Sequence, residues 1–310
     1  MKLSFVIPAY NEESYIGKCF ESVVSEQKNA DCEVEIIVVN NASTDSTGEI
    51  AKSFPGVIVV DEPRKGLTFA RQAGFKAATG ELIANIDSDS VLTPGWIETV
   101  LEEFSKNKKL VALSGPFIYY DLPLAMNLGI RSYYYFGFGG YLVNRFILKA
   151  GSLLQGGNFV VTKSALEKIG GYDLSITFYG EDTDMARRMS EVGDTKFTFK
   201  LPMYSSGRRL KYEGVFTMLW KYPINYFWVL IFKKPFTNSY IDIRQGSIVE
   251  QPKTTLKKMN FTMAVIRTLL ALFLLGGLAE AVVNEIRPDQ TLASTIYERF
   301  QQIRSNIDEQ

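Results

Sequence analysis

LIANIDSD, residues 82–89, is a short apolar run that ends in two carboxylates separated by one serine. The run 82–86 has the length and composition of a buried strand. Side chains two positions apart lie on the same face of an extended chain, so Asp87 and Asp89 can converge at the end of that strand. Such a pair suits one hard divalent cation, although an isolated acidic pair is more often a solvated turn. The surrounding sequence therefore decides its interpretation.

Strand-length apolar runs alternate with segments of helical periodicity on both sides of this stretch. This alternation predicts an α/β fold with a Rossmann-like, mostly parallel sheet flanked by helices. Ligands bind such sheets beyond the carboxyl ends of the strands, so the loops that follow the strands form the candidate site. We predict strands at 3–7, 33–39, 57–60, 82–86, 110–117 and 156–161, and helices at 14–26, 46–52, 68–78, 164–169 and 182–192.

The composition excludes several kinds of chemistry. The 34 basic residues balance the 34 acidic ones, which leaves no global positive field for nucleic acid. The chain has no histidine, so Ser-His-Asp triads, histidine bases and histidine zinc sites are excluded. Two cysteines, Cys19 and Cys32, are too few for a disulfide framework and favour a reducing compartment. Catalysis must therefore rest on carboxylates, hydroxyls, amines or a metal ion.

The loops after the first three strands carry groups suited to a nucleotide donor. Pro8, Tyr10 and Glu12 follow the first strand and include an aromatic ring that can stack on a base. Asn41 follows the second strand and can both donate and accept hydrogen bonds. Arg71 lies beyond the third strand, where a guanidinium can neutralise a diphosphate. Each feature taken singly is also ordinary turn or surface chemistry, so their combination carries the prediction.

Three later segments complete the candidate site. The pair Glu181-Asp182 starts a predicted helix, where a carboxylate is favoured as an anion and can accept a proton from an attacking hydroxyl. Gly157-Asn158 offers a closely approachable backbone and an amide, which suits an acceptor-binding shelf. The basic pair Arg208-Arg209 lies in a loop that can fold over the donor diphosphate. A helix cap and a plain surface loop are the alternatives for the first and third segments.

These pieces follow one another in a specific order along about the first 210 residues. The order resembles that of the family 2 glycosyltransferases with the GT-A fold, of the bacterial, membrane-associated type. The motifs that carry the resemblance are Phe5-Val6-Ile7-Pro8-Ala9-Tyr10-Asn11-Glu12, Val38-Val39-Asn40-Asn41-Ala42-Ser43-Thr44-Asp45, Gly66 to Arg71 leading to Gly80-Glu81, Asp87-Ser88-Asp89, and Gly180-Glu181-Asp182.

The resemblance implies an inverting, single-displacement transfer from a nucleotide-sugar donor. It implies that Asp87 contacts the donor ribose or sugar and that Asp89 binds Mg²⁺ or Mn²⁺. It also implies that Asp182, paired with Glu181, is the catalytic base. By the same resemblance, Tyr10, Glu12 and Asn41 lie at positions that bind the nucleoside in the family. Arg71 lies at a position that contacts the base or the diphosphate.

Two departures from the family pattern bear on the site. The family often has paired aspartates where this chain has Asn40 and Asn41, which leaves the donor base, uracil or guanine, open. Some members supply a histidine to the metal, and this chain has none. The metal would then depend on Asp89, diphosphate oxygens and water.

The C-terminal third has a different composition. Residues 211–255 are aromatic and basic, which suits a segment in the headgroup layer of a membrane or a packed helical hairpin, and Pro223 predicts two short helices there. Residues 256–284 include the most apolar stretch, 261–283, whose length of about 23 residues suits one transmembrane helix; a buried or in-plane helix is the alternative. Basic residues precede it, so the positive-inside rule predicts that the preceding chain is cytoplasmic.

We therefore expect a catalytic domain over 1–210 and a short tail over 285–310. The predicted function is transfer of a sugar from a UDP- or GDP-sugar to a glycan or lipid-linked acceptor at the cytoplasmic face of the cell membrane. One alternative is a non-catalytic nucleotide-sugar-binding or scaffold protein. Another is a nucleotidyltransferase, which would need a glycine-rich phosphate loop that residues 8–12 do not provide.

Overall fold

The computed structural model describes residues 1–142, 153–176, 178–237 and 242–243. Strands and helices alternate within these ranges, as the sequence predicts. The strands are β1 (Lys2–Ala9), β2 (Glu33–Asn40), β3 (Val57–Asp61), β4 (Leu82–Ile86), β5 (Val91–Leu92), β6 (Leu110–Ser114), β7 (Phe117–Tyr119), β8 (Asn158–Thr162), β9 (Asp194–Phe197) and β10 (Met203–Ser205). The helices are α1 (Ile16–Gln27), α2 (Thr47–Ser53), α3 (Leu67–Ala77), α4 (Trp96–Lys106), α5 (Leu124–Leu142), α6 (Lys163–Lys168), α7 (Glu181–Ser190), α8 (Arg208–Glu213) and α9 (Val215–Phe232).

The main sheet has seven strands in the order β3-β2-β1-β4-β8-β6-β9. The first four strands in this order are parallel to one another, and β6 is parallel to β9. β8 runs antiparallel to both of its neighbours, β4 and β6. The predicted α/β fold with a mostly parallel sheet is confirmed.

Helices cover both faces of the main sheet. Alternate side chains of the central strand β1 point in opposite directions, and each set packs against a different group of helices. Phe5 lies in a buried cluster with residues of α1 and α4, and its ring centroid is 5.7 Å from that of Trp96. Val6 lies in a second buried cluster with residues of α3, α6 and α7. The site-bearing strands are thus fixed from both sides.

A small second sheet, in the order β5-β10-β7, stands beside the main one. The fully buried Asn158 of β8 links the two regions. Its amide nitrogen donates to the carbonyl oxygens of Gly115 and Leu201, both at 3.0 Å, and its amide oxygen accepts from the Trp96 indole at 3.2 Å. The side chain therefore holds together the two chain segments that lead into β7 and β10.

The predicted strand 110–117 is in fact two strands, β6 and β7, which belong to different sheets. Gly115 marks the break, because a Cβ atom there would lie 1.9 Å from the carbonyl oxygen of Leu201. The Gly115-Pro116 pair is the sequence signal for this break. The break places β7 directly before Tyr120, whose hydroxyl contacts the backbone carbonyl of Asp89.

The aromatic segment forms a single helix, α9, rather than the two short helices predicted from Pro223. Asn225 supports the turn that contains the proline, since its side-chain amide donates to the Lys221 carbonyl at 2.8 Å. Within the described ranges no helix is both long enough and apolar enough to cross a bilayer. The predicted membrane helix at 256–284 and the predicted tail at 285–310 lie outside the described residues.

Gly74 of α3 packs directly on the main sheet, since a Cβ atom there would lie 2.3 Å from Cγ1 of Val6. We expect Gly74→Ala to lower the free energy of unfolding by about 1–3 kcal/mol through overpacking. Chemical denaturation of the purified chain measures this. Gly17→Ala on α1 is the matched control, because its Cβ would meet one atom, of Phe54, at 4.0 Å, and should leave stability unchanged or raise it. Equal losses for both variants would contradict the prediction.

Candidate active site

The carboxyl ends of β1, β2 and β4 meet at one edge of the main sheet, because these strands are parallel neighbours. β8 runs antiparallel to β4, with Asn158 paired to Ile86, so the residues before β8 reach the same edge. The first turn of α7 lies there too, since Asp182 accepts a hydrogen bond from the backbone of Gly156 at 3.2 Å. Motifs far apart in the sequence are thus brought together by the sheet.

Arg71 is a buried cation shared by two of the predicted site carboxylates. Its side chain, on α3, is 1% exposed. One guanidinium nitrogen donates to Glu181, and another lies 3.4 Å from Oδ1 of Asp87. Burial raises the pKa of Glu181 to about 7, against the lowering effect of Arg71 and with a further rise from Asp182. Arg71 lies beneath the site, so the direct donor contact predicted for it does not fit its position.

Asp182 is a partly buried carboxylate with two backbone donors. Oδ2 accepts from Gly156, and Oδ1 accepts from the Thr183 amide at 2.8 Å. Burial raises the pKa of Asp182 above its ordinary value, while these two amides and Arg71 lower it. A carboxylate held in this way keeps a fixed orientation and is a stronger proton acceptor than an exposed aspartate.

Gly157 separates Asp182 from Asp87. Its backbone has φ of +82°, and a Cβ atom there would lie 2.1 Å from Oδ2 of Asp87. The neighbouring Gly156 has Glu181 and Asp182 oxygens at 3.3 Å from its Cβ position. The Gly156–Gly157 backbone therefore forms a ridge with Asp87 against one glycine and Asp182 against the other, which agrees with the predicted proximity of these carboxylates.

Asn41 holds the loop at residues 62–66 in place. Its buried amide nitrogen donates to the carbonyl oxygens of Glu62 at 3.0 Å and Arg64 at 2.7 Å, and its oxygen accepts from Gly66 at 2.8 Å. An aspartate could not make the two donations. The departure from paired aspartates thus has a structural reason, because Asn41 ties residues 62–66 to the end of β2.

Tyr10 lies close to this loop. The Lys65 ammonium is 3.9 Å from the centroid of the Tyr10 ring, so a base that stacks on Tyr10 would meet a cation at the same place. Pro8 pairs with Val39 inside the sheet and sets the direction in which the chain leaves β1. The roles predicted for Tyr10 and Pro8 in donor binding stay predictions.

Arg208 connects two carboxylates from different loops. It donates to Glu12, and its Nε lies 3.1 Å from Oδ2 of Asp89. Its guanidinium carbon also lies 4.6 Å from the centroid of the Tyr15 ring. Burial lowers the pKa of Arg208, but Asp89 and Glu12 outweigh burial and raise it, so the side chain stays charged.

Two predicted site residues lie elsewhere. Asn158 is fully buried with both of its polar atoms bonded inside the protein, so the predicted contact with an acceptor is wrong for its side chain. Arg209 pairs with Glu213 at 2.7 Å and lies 4.5 Å from the Phe178 ring, because successive residues of a helix point about 100° apart. Its predicted place beside Arg208 at the donor is therefore wrong.

The sequence model described as Glycosyl transferase family 2 matches residues 4–170, more than half of the chain. The chain belongs to glycosyl transferase family 2. Glycosyltransferase GlyA of Streptococcus pneumoniae is 31% identical over 117 residues, covering 36% of this chain and 16% of that protein. Glycosyltransferase AglE of Haloferax volcanii is 27% identical over 196 residues, covering 62% of each. The chain thus spans less than two thirds of the length of either relative.

Among solved structures, mannosyltransferase PcManGT from Pyrobaculum calidifontis, in complex with GDP-Man and Mn²⁺, has a TM-score of 0.56 at 15% identity. The match covers 98% of this chain and 80% of that one. Likeness at this identity shows the fold, and it agrees with the GT-A fold expected of a family 2 glycosyltransferase.

Two further side chains contact β4 or the loop that follows it. The Tyr120 hydroxyl donates to the backbone carbonyl of Asp89 at 3.3 Å. The buried Tyr172 hydroxyl donates to Asn85 of β4 at 2.6 Å. Neither residue lies in a motif. Tyr120 directly follows the aromatic residues of β7.

Asp89 is the candidate protein ligand for a divalent cation. Among the described residues, no three His, Cys, Asp or Glu side chains are grouped to hold a metal ion. Asp89 nevertheless offers hard oxygen ligands, and a positive group, the Arg208 guanidinium, already lies 3.1 Å from one of them. Asp89 would hold Mg²⁺ or Mn²⁺ from the protein side, with the remaining ligands supplied by diphosphate and water.

The coupling between Arg71 and Glu181 can be tested by mutation. We expect Arg71→Met to cost about 3–5 kcal/mol of stability, because it leaves Glu181 buried near two other carboxylates without its cation. The double variant Arg71→Met/Glu181→Met should be more stable than Arg71→Met alone, since the stranded charge is gone. A double-mutant cycle in chemical denaturation measures this coupling.

The exposed pair Lys106–Glu102, with side chains 59% and 51% exposed, serves as the control. Its cycle should give a coupling of less than about 1 kcal/mol. If the costs of Arg71→Met and Glu181→Met simply added, the two side chains would not act as a pair.

Proposed function

We propose that the chain is an inverting glycosyltransferase that moves a sugar from a UDP- or GDP-sugar onto a hydroxyl group of a glycan or lipid-linked acceptor. The observation that carries this proposal is the placement of Asp87 and Asp182 against adjacent glycines of one ridge. A donor held by Asp87 then lies next to a carboxylate that can accept a proton. Membership of glycosyl transferase family 2 supports the same reaction class.

In the proposed reaction, Asp182 accepts the proton of the acceptor hydroxyl as its oxygen attacks the anomeric carbon. The new carbon–oxygen bond forms on the face opposite the bond to the diphosphate, which inverts the configuration. The electron pair of the broken bond leaves with the diphosphate. The raised pKa of Asp182 suits it to this task, because a stronger base accepts a proton earlier along the reaction.

The donor would enter on the side of β1, β2 and β4. Tyr10 and the loop held by Asn41 would enclose the nucleoside. Asp87, fixed by Arg71 and packed against Gly157, would contact the ribose or the sugar. PcManGT was solved with GDP-Man, and TarS of S. aureus with UDP at a TM-score of 0.51, so this fold accommodates both kinds of nucleotide in those proteins.

A divalent cation, when bound at Asp89, would neutralise the charge that builds up on the departing diphosphate. Mn²⁺ in the PcManGT structure supports Mg²⁺ or Mn²⁺ as the cofactor. The residues of this chain would prepare the site for it: β4 carries Asp89 to the sheet edge, and Tyr120 fixes its backbone.

Association with a membrane rests partly on the end of α9. Phe232 and Phe236 are 48% and 54% exposed, and Lys233 and Lys234 between them are also exposed. Aromatic rings and ammonium groups together suit the headgroup layer of an anionic bilayer. α9 also packs beside the catalytic pair, because a Cβ atom on Gly180 would lie 2.5 Å from Val229. An acceptor delivered from the bilayer would then arrive close to Asp182.

The predicted membrane helix at 256–284 supports a location at the cell membrane with the catalytic domain in the cytoplasm. Nucleotide sugars and reduced cysteines fit that compartment. A glycan carried on a lipid is the acceptor that this arrangement favours.

Asp182→Asn removes the proton acceptor and keeps the shape of the side chain. Transfer to a hydroxyl acceptor should fall about 10²–10⁴-fold, measured with radiolabelled UDP- or GDP-sugars and membranes that supply acceptors. Donor-dependent thermal stabilisation should persist, because Asp182 lies on the acceptor side. Glu191→Gln, at the exposed far end of α7, is the control and should keep wild-type turnover. Near-normal turnover of Asp182→Asn would argue for an already ionised acceptor, such as a lipid phosphate.

Asp89→Ala distinguishes an enzyme from a scaffold. Transfer and donor hydrolysis should both be lost in this variant. A protein that only binds nucleotide sugars would show no turnover in the wild type either. Formation of pyrophosphate from a nucleoside triphosphate and a sugar phosphate would favour the nucleotidyltransferase alternative.

The membrane proposal predicts that the full chain stays with the membrane fraction after carbonate extraction. A chain that ends at residue 255 should be released, because it lacks the apolar segment. Donor-dependent thermal stabilisation of the shortened chain shows that its catalytic domain is intact. Release of the full chain by carbonate would contradict a spanning helix.

A further inference from the structure

Arg208 occupies the place where two site loops come together. Glu12 follows β1 and Asp89 follows β4, and the guanidinium of Arg208 contacts both carboxylates. The three side chains are 20%, 2% and 11% exposed for Arg208, Glu12 and Asp89 respectively. The cluster is therefore partly shielded from water, and its charges interact strongly.

The backbone that carries Arg208 is fixed. The Asp121 carboxylate accepts from the Gly207 amide and from the Ser206 hydroxyl, the latter at 2.9 Å. A Cβ atom on Gly207 would lie 2.5 Å from Leu122, so this turn packs closely on its neighbour. These contacts hold the turn in place, so we expect the positive charge to move mainly by rotation of the long Arg208 side chain.

One carboxylate cannot serve the guanidinium and a divalent cation together at low cost. Nε of Arg208 lies 3.1 Å from Oδ2 of Asp89. A Mg²⁺ ion would bind the same carboxylate at about 2.0–2.1 Å. The two positive groups would then stand only a few ångströms apart in a partly dehydrated cluster, where they repel each other.

A diphosphate offers Arg208 another partner. Phosphate oxygens match the forked geometry of a guanidinium and carry more negative charge than one aspartate. A donor diphosphate bound near Asp89 would thus attract Arg208 away from it. The carboxylate would then be available to the metal, which itself binds diphosphate oxygens.

We propose that Arg208 and the divalent cation are alternative partners of Asp89, and that transfer of Arg208 to the donor diphosphate couples nucleotide binding to metal binding. This inference rests on the proposed use of a nucleoside-diphosphate donor. Arg208 is then a positioning residue that keeps Asp89 and Glu12 together until the donor arrives. Metal and nucleotide each raise the affinity for the other by the same factor, as linkage requires.

The test measures Mn²⁺ binding by electron paramagnetic resonance of the free ion, on the full chain, with and without UDP or GDP. The wild type should bind Mn²⁺ weakly alone and more tightly with the nucleotide. Arg208→Gln should bind Mn²⁺ alone about tenfold more tightly, and should bind the nucleotide more weakly in the presence of Mn²⁺. The factor by which nucleotide tightens Mn²⁺ binding, about 5–150-fold for coupled sites, should shrink toward one.

Two further variants serve as controls. Arg209→Gln removes the neighbouring arginine, which pairs with Glu213, and should leave Mn²⁺ affinity unchanged. Arg208→Lys keeps a positive charge and should stay closer to the wild type than Arg208→Gln does. Thermal unfolding of each variant checks that the fold is intact.

Unchanged or weaker Mn²⁺ binding by a folded Arg208→Gln would overturn the proposal, and so would a wild type that binds no Mn²⁺ even with nucleotide. Failure of the proposed function gives a different result. In that case neither UDP, GDP nor their sugar derivatives would stabilise the wild-type chain, with or without Mn²⁺.

Discussion

The buried guanidinium of Arg71 holds together the carboxylates at the centre of the candidate active site. It lies between Glu181 at the start of α7 and Asp87 at the end of β4. Without this cation, three carboxylates would face one another across the Gly156–Gly157 ridge with no positive charge beneath them. Burial of an ion pair is costly unless its geometry is good, so the pair contributes placement rather than net stability. The orientation of Asp182 depends on this placement, because it is the next residue after Glu181.

The fold was predictable to a large extent, because its signals are local. Apolar runs of strand length alternate with helical segments, and this pattern predicts the α/β class and a mostly parallel sheet, whereas the order β3-β2-β1-β4 is seen only in the structure. The prediction missed the split between β6 and β7, although Gly115-Pro116 is a local signal for a break; that the two strands belong to different sheets depends on the contact between Gly115 and Leu201, which are far apart in sequence. α9 remains one helix across Pro223, because a local preference for breaking is outweighed by surrounding contacts.

The positions of site residues were predictable where the residue lies in a sequence motif. Asp87, Glu181 and Asp182 come together as the motif order implies. Chemical type alone was a poorer guide, since Asn158 has the right groups for a ligand but turns into the core to bind backbone carbonyls. Arg208 and Arg209 are alike in sequence, and only the rotation of α8 decides that one reaches Asp89 and the other Glu213. Such choices are made by packing, which a sequence pattern does not contain.

The Asn41 amide has a consequence for the behaviour of the loop at residues 62–66 in acid. Its three hydrogen bonds to Glu62, Arg64 and Gly66 involve groups that neither gain nor lose a proton between strongly acidic and strongly alkaline conditions. A carboxylic acid in this position would rearrange its bonds each time it titrated. The bonds that Asn41 makes therefore do not change with pH, and the acid-sensitive group of this loop is the Glu62 carboxylate, whose pKa is held below its ordinary value by its hydrogen bonds to Arg64.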